Sequence, residues 1–167
     1  MASADTQVKI SSEATQNFVE GYYPALMTRR SAISSYYESP TKAADGRISP
    51  VIIFNGNTFE EPKDIQELFD KKMQRVHYDI QSYDCHIVNP NYTLPESKDR
   101  PAGAGRNMSI LISVNGTVQF GDPGTAEERG FSESFVLIPN KDYQGARGRG
   151  SGKKEWLIQH QNFRLVV

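Results

Sequence analysis

The sequence predicts an α+β fold, with helices first and a curved antiparallel sheet packed on them. Three observations predict it. Apolar residues recur at helical spacing from Ile10 to Ala25. The period drops to two from Val76 onward, and Gly, Pro and Asn punctuate the alternating runs. Helices followed by strands in this order belong on one side of a sheet.

Ile10, Ala14, Phe18, Tyr22 and Ala25, at spacings of four and three, carry the first helix, with Asp5 or Ser11 as its N-cap. Pro24 lacks a backbone donor and crowds the preceding turn, so it is expected to kink or end this helix near Tyr23. A second short helix is expected over 29–37, ahead of Ser39-Pro40, and a polar loop over 41–49. Val51 to Phe54 then runs into Asn55-Gly56-Asn57, where Asn-Gly supplies the positive φ of a tight hairpin turn into Thr58-Phe59. A third helix, 62–73, opens on Pro62 and aligns Ile65, Leu68, Phe69 and Met73.

The strand over 76–88 changes phase in its middle. Val76, Tyr78 and Ile80 are apolar at even positions, Tyr83, Cys85 and Ile87 at odd ones. One inserted residue, a β-bulge, swaps faces in this way. The stretch 89–106 is a long Pro/Gly/charged loop, a length usually tied to function or disorder. Met108, Ile110, Ile112 and Val114 alternate as a strand, and Val118 and Phe120 resume after Asn115-Gly116. That dipeptide fits either a hairpin turn or a bend within one strand. A loop over 121–130, a strand from Phe131 to Ile138, a Gly-rich loop over 140–154 and a strand over 156–167 complete the chain. It reads as one domain, 1–167, with long loops at 89–106 and 140–154.

Composition narrows the function. The 19 Lys and Arg against 20 Asp and Glu leave a net charge of −1, without the basic surplus of a dedicated nucleic-acid binder. No apolar run approaches the ~18 residues of a membrane helix, and the polar first nine residues lack a secretory h-region, so a soluble intracellular domain is expected. One cysteine, Cys85, leaves no intrachain disulfide. His77, His86 and His160 show no metal-ligand spacing, and Gly103-Ala104-Gly105 follows a loop rather than a strand, so neither a metal nor a phosphate cofactor is expected. Neutrality hides one local surplus: Lys141, Arg147, Arg149, Lys153 and Lys154 face only Asp142 within 141–154.

The blocks Phe18-Val19-Glu20-Gly21-Tyr22-Tyr23, Arg29-Arg30, Val51 to Asn57, Leu68-Phe69, Tyr83-Asp84-Cys85, Val118-Gln119-Phe120, Phe131 to Leu137, Trp156 and Asn162-Phe163-Arg164-Leu165 resemble, in order and spacing, the nuclear transport factor two-like superfamily. Its fold is a cone, a curved antiparallel sheet around one long and two short helices. Within it the chain is similar to the small subunits of heterodimeric mRNA export receptors. Asn55-Gly56-Asn57 and the insert 89–106 separate it from the homodimeric Ran carriers.

The resemblance implies a non-catalytic subunit without a cofactor or a membrane partner, working in the nucleus and at the nuclear pore and shuttling to the cytoplasm. Its partner is the large subunit of the receptor, whose similar domain packs on the open sheet face, and the pair binds Phe-Gly nucleoporins. Arg164, Phe163, Phe135, Leu137, Ile110 and Ile112 are the expected interface. In the family the arginine matching Arg164 pairs with an acid of the large subunit, and a planar guanidinium suits a carboxylate bidentately. Alternation does not decide which apolar strand set faces the helices and which the partner. Arg147, Arg149, Lys153 and Lys154, with Lys98 and Arg100, are candidate contacts to RNA or pre-ribosomal particles. Two other readings keep the fold. One is a homodimeric Ran-GDP import carrier using Asp122, Glu127 and Glu128. The other is a small-molecule isomerase or dehydratase with acid–base groups among His77, Asp79, Tyr83, Asp84, His86 and His160, provided two converge.

Overall fold

A 25-residue helix, α1 (Ala4–Thr28), begins the fold. The structure is a computed structural model and describes residues 3–92, 105–143 and 152–166. Ser3 caps α1: its Oγ accepts from the Thr6 N–H at 3.2 Å, two residues ahead of the expected Asp5. Pro24 does not end the helix, which continues to Thr28. Tyr22, Tyr23, Ala25 and Leu26 around it are buried, and that packing holds a turn which the missing hydrogen bond alone would loosen.

A 3-10 helix (Arg30–Tyr36) stands where the second helix was expected. The stretch 41–49 is not wholly a loop: β1 (Thr41–Lys42) and β2 (Ile48–Ser49) pair within it. The hairpin of β3 (Val51–Phe54) and β4 (Asn57–Phe59) turns on Asn55 at φ 46° and Gly56 at φ 85°, as a primed turn requires. The third helix splits into α2 (Pro62–Glu67) and a π-helical turn (Leu68–Lys72). Arg30 ties its end to α1. Its Nε donates to the Leu26 carbonyl at 3.0 Å, Nη1 to those of Phe69 and Met73 at 2.8 and 3.0 Å, and Nη2 to that of Gln74 at 2.8 Å.

The main sheet runs β4-β3-β8-β7-β6-β5, with β5 (Val76–Asn89), β6 (Ser109–Phe120), β7 (Glu128–Pro139) and β8 (Trp156–Val166). Within this sheet β3 and β8 pair in parallel and the other neighbours are antiparallel. The register of β5 shifts between Ile80 and Ser82, which is the bulge that its change of phase predicts. Asn115-Gly116 is no hairpin: β6 passes straight through it, and Gly116 faces Ile80 across the bulge. β7 begins at Glu128 because Glu128 pairs with Gln119, which shortens the loop expected before Phe131.

Ile52, Val76, Tyr78, Ile110, Ile112, Val114, Val118, Phe131, Phe135, Leu137, Ile158 and Phe163 point inward and pack on Phe18, Val19, Tyr22, Tyr23 and Leu26 of α1. Apolar strand residues therefore form the helix-facing side, and the intervening residues line the other side. β5 closes the sheet as an edge strand. There the Asp84 Oδ1 accepts from the Cys85 N–H at 2.8 Å, and the Asp84 carboxylate lies 3.3 Å from His86 Nε2.

Candidate functional site

The outer face of the sheet is laid out in rows by its register. His86, Leu111, Val136, His160 and Val51 lie side by side from β5 to β3. The next row is Asp84, Ser113, Ser134, Asn162 and Ile53, and the third Ser82, Asn115, Ser132 and Arg164. None of these residues belongs to the core cluster. Leu111, Val136, Val51 and Ile53 are half-buried, while Ser132, Asn115 and Arg164 are exposed. Neighbouring strands stand about 4.8 Å apart, so the rows form a broad surface with aliphatic residues at one end and short hydroxyl and amide side chains in the middle.

The expected interface residues divide between the two sides. Arg164 lies on the outer face, exposed and opposite Ser132. Phe163, Phe135, Leu137, Ile110 and Ile112 are each 0% exposed and belong to the core. They pack in the core on the helix-facing side of the sheet, the more apolar of its two faces. The alternate residues Leu111, Val136, Ser113, Ser134 and Asn162, none of them among the expected interface residues, lie with Arg164 on the outer face. Ser113, Ser134 and Asn162 stand out as polar positions within alternating runs, while Leu111 and Val136 carry no such signal.

Of the candidate cargo contacts, Lys98, Arg100, Arg147 and Arg149 lie outside the described residues. Lys153 is exposed. Lys154 is half-buried, with its Nζ 4.4 Å from the centroid of the Tyr36 ring. It borders a cleft of about 220 Å³ between α1 and the start of β8, lined by Phe18, Tyr36 and Trp156, with Arg106 ion-paired to Glu155 at its rim.

The acid–base candidates do not converge inside the cone. Asp79, Asp84, His77 and His86 are exposed, and the Asp84–His86 pair sits on the outer face. The interior holds a different polar group, Glu133, which is 3% exposed. Its inward position was legible in the run Phe131-x-Glu133-x-Phe135. The Tyr23 hydroxyl donates to Glu133 Oε1 at 2.7 Å and Gln161 Nε2 donates to Oε2 at 2.7 Å. Gln161 Nε2 also reaches the Tyr22 hydroxyl at 2.9 Å, and the Tyr37 hydroxyl donates to Gln161 Oε1 at 2.5 Å. Burial raises the Glu133 carboxyl to about 7, against the pull of Gln161 and Tyr23, and raises the Tyr22, Tyr23 and Tyr78 hydroxyls well above their usual value. Aromatic rings fill the space around this group: Phe131 stacks on Phe163 at 5.4 Å, and Phe18 meets Phe135 edge-on at 4.9 Å. Among the described residues, no three His, Cys, Asp or Glu side chains gather as a metal site.

A family model for the nuclear transport factor 2 (NTF2) domain matches residues 14–147. No curated protein sequence matches the chain. Among solved structures, a chain of the complex of a Sac3N peptide bound to Mex67:Mtr2 is 23% identical, over 93% of this chain and 98% of that one, with a TM-score of 0.73. A chain of the Chaetomium thermophilum Mex67 NTF2-like domain complexed with Mtr2 is also 23% identical, over the same shares, with a TM-score of 0.71. A structure of Mtr2 is 20% identical over 92% of this chain and 98% of that one, at 0.68. At such identity the likeness is one of fold.

Proposed function

The chain belongs to the nuclear transport factor 2 (NTF2) domain family, and from that membership we propose that it is the non-catalytic small subunit of a heterodimeric nuclear mRNA export receptor. The observation that carries this reading is the open outer face of the sheet. Five strands, β5, β6, β7, β8 and β3, present it, no helix among the described residues covers it, and its aliphatic row beside a serine- and asparagine-rich centre suits a second sheet laid on top. Obligate interfaces bury upwards of ~2,000 Å², and a face of this breadth supplies area on that scale. The fold shared with Mtr2, solved together with the Mex67 NTF2-like domain, supports a large-subunit partner carrying a similar domain.

The filled interior supports a binding role over a catalytic one. Where an enzyme of this shape needs room for a substrate beside its acid, Glu133 is enclosed by rings and by Gln161. On this reading the pair binds Phe-Gly nucleoporins during passage through the pore and shuttles between nucleus and cytoplasm. Lys153 and the basic loops meet RNA or pre-ribosomal cargo.

Co-expression with a large export-receptor subunit tests the proposal. The full chain is expected to co-purify with it one to one, and Ser134→Arg, in the centre of the outer face, to abolish co-purification while the circular dichroism spectrum is kept. A stable homodimer that ignores the large subunit and captures Ran-GDP would overturn it in favour of an import carrier.

A further inference from the structure

The cleft between α1 and the start of β8 is built on parts of the chain that are held in place. Ile10, Ala14 and Phe18, at spacings of four on one face of α1, line it together with Tyr36 and Trp156. Asn140 pins the backbone that enters β8. Its Nδ2 donates to the Lys154 carbonyl at 2.7 Å, and its N–H to the Glu155 carbonyl at 2.8 Å. On the other flank the Asn107 carbonyl, next to Arg106, accepts the Tyr92 N–H at 2.9 Å.

Glu13, Glu155, Arg106 and Lys154 are the charged residues of the lining, and their formal charges cancel. They are not equally engaged. Glu155 is ion-paired with Arg106, and Glu13 lies 4.0 Å from Lys9 Nζ. Arg106 meets Glu155 through Nε, one of the five N–H donors of a guanidinium, so that contact does not exhaust it. Lys154 makes no ion pair among the described residues; its Nζ faces the Tyr36 ring at 4.4 Å, and an ammonium over a ring keeps donors for an anion. The unspent charge at the rim is positive, above an apolar floor.

We propose that this cleft is a docking site for an acidic peptide of a partner protein. One bulky apolar side chain of the peptide enters between Phe18, Tyr36 and Trp156, and an adjacent Asp or Glu meets Lys154 and Arg106. Size favours a peptide over a free metabolite: the cleft holds about 220 Å³, below the ~300–1,000 Å³ of sites that enclose a whole small molecule. Charge favours it over RNA, because a lining whose charges cancel lacks the basic surplus that a phosphate backbone needs. The cleft opens on the helix side of the sheet, so an occupant leaves the outer face free. The site therefore stands or falls independently of a large subunit on that face.

Trp156 is the single tryptophan of the chain, so its fluorescence and its indole N–H resonance report on this cleft. The probe is the pentapeptide Gly-Asp-Phe-Asp-Gly, acetylated and amidated, titrated into the full chain at low salt up to about 5 mM, the range in which one anchored side chain binds. Both signals are expected to shift saturably. Alanine in place of the peptide's phenylalanine should weaken binding about tenfold or more, and lysine in place of both aspartates about fivefold or more. Lys154→Glu should reverse the preference between the acidic and the basic peptide. An unmoved Trp156, or equal binding of the two peptides to the unaltered chain, overturns the proposal. So does 3-phenylpropionate binding as tightly as the acidic peptide, which would assign the cleft to a free organic acid, or oligouridylate displacing the peptide at a lower concentration than the peptide itself needs. If Lys154→Glu does not fold, the peptide series on the unaltered chain still decides.

Discussion

Gly116 lies so close to the backbone of Asp79 that a Cβ at position 116 would collide with the Asp79 carbonyl oxygen, and would stand 3.1 Å from Cε1 of Phe131. The bulge at Gln81 throws the β5 backbone toward β6 at this point, and only glycine leaves room for it. Gly116→Ala is therefore expected to destabilise the fold by about 1–3 kcal/mol through overpacking. Urea unfolding measures it, and a change under about 0.5 kcal/mol would show that the bend relaxes freely.

Arg30 holds two helix ends together through carbonyl groups alone. Removing it in Arg30→Ala leaves the carbonyls of Leu26, Phe69, Met73 and Gln74 without this donor, and a loss of about 2–3 kcal/mol is expected. Arg30→Lys should recover only part of it, since one ammonium cannot reproduce a planar fork that meets four acceptors. Equal stability of the lysine variant and the wild type would refute the role of the fork.

Glu133 makes stability depend on pH in a stated direction. Its carboxyl is raised from 4.5 to about 7 in the folded chain, so the native state holds a proton that the unfolded state has released. The stabilisation from that proton is complete below about pH 4.5 and is lost as the pH rises to about 7. The shift corresponds to about 3 kcal/mol. Glu133→Gln cannot ionise, so it is expected to exceed the wild type in stability at pH 8 and to approach it near pH 4.5. Chemical denaturation of both proteins across that range checks the sign.

Arg164 and Phe135 should separate binding from folding. Arg164→Asp changes an exposed outer-face residue, so a stability change within about 0.5 kcal/mol is expected. A paired charge lost at the interface costs about 2–5 kcal/mol of binding, and pull-down with the large subunit should fail. Phe135→Ala opens a void in the core and is expected to destabilise the chain itself by about 3–5 kcal/mol. A Phe135→Ala chain that is as stable as the wild type yet fails to bind would return that residue to the interface.

Much of the architecture was legible in the chain. The phase change between Ile80 and Tyr83 located the bulge, and Asn55-Gly56 located the hairpin, because both signals are local. The side of the sheet that the helices leave open was not legible. Alternation sorts Ile110, Ile112 and Phe135 from Leu111, Ser113 and Ser134, but it carries no information on which set meets the helices. That assignment is tertiary: the helices seal the more apolar face, and the mixed face stays accessible. Pro24 misled for a related reason, as burial on both flanks outweighed one missing backbone bond. Glu133 was visible as an acid in an apolar register, yet its partners Tyr23 and Gln161 lie 110 and 28 residues away, beyond any local pattern.

The Asp84 carboxylate that occupies the Cys85 amide bears on how this protein meets others. A long exposed margin of sheet invites a foreign strand to zip on, which is the first step of edge-to-edge aggregation. Here the strand's own side chain answers its amide and sets a charge in the path of any newcomer. Crowded copies of the chain are thereby steered away from growing sideways into ribbons.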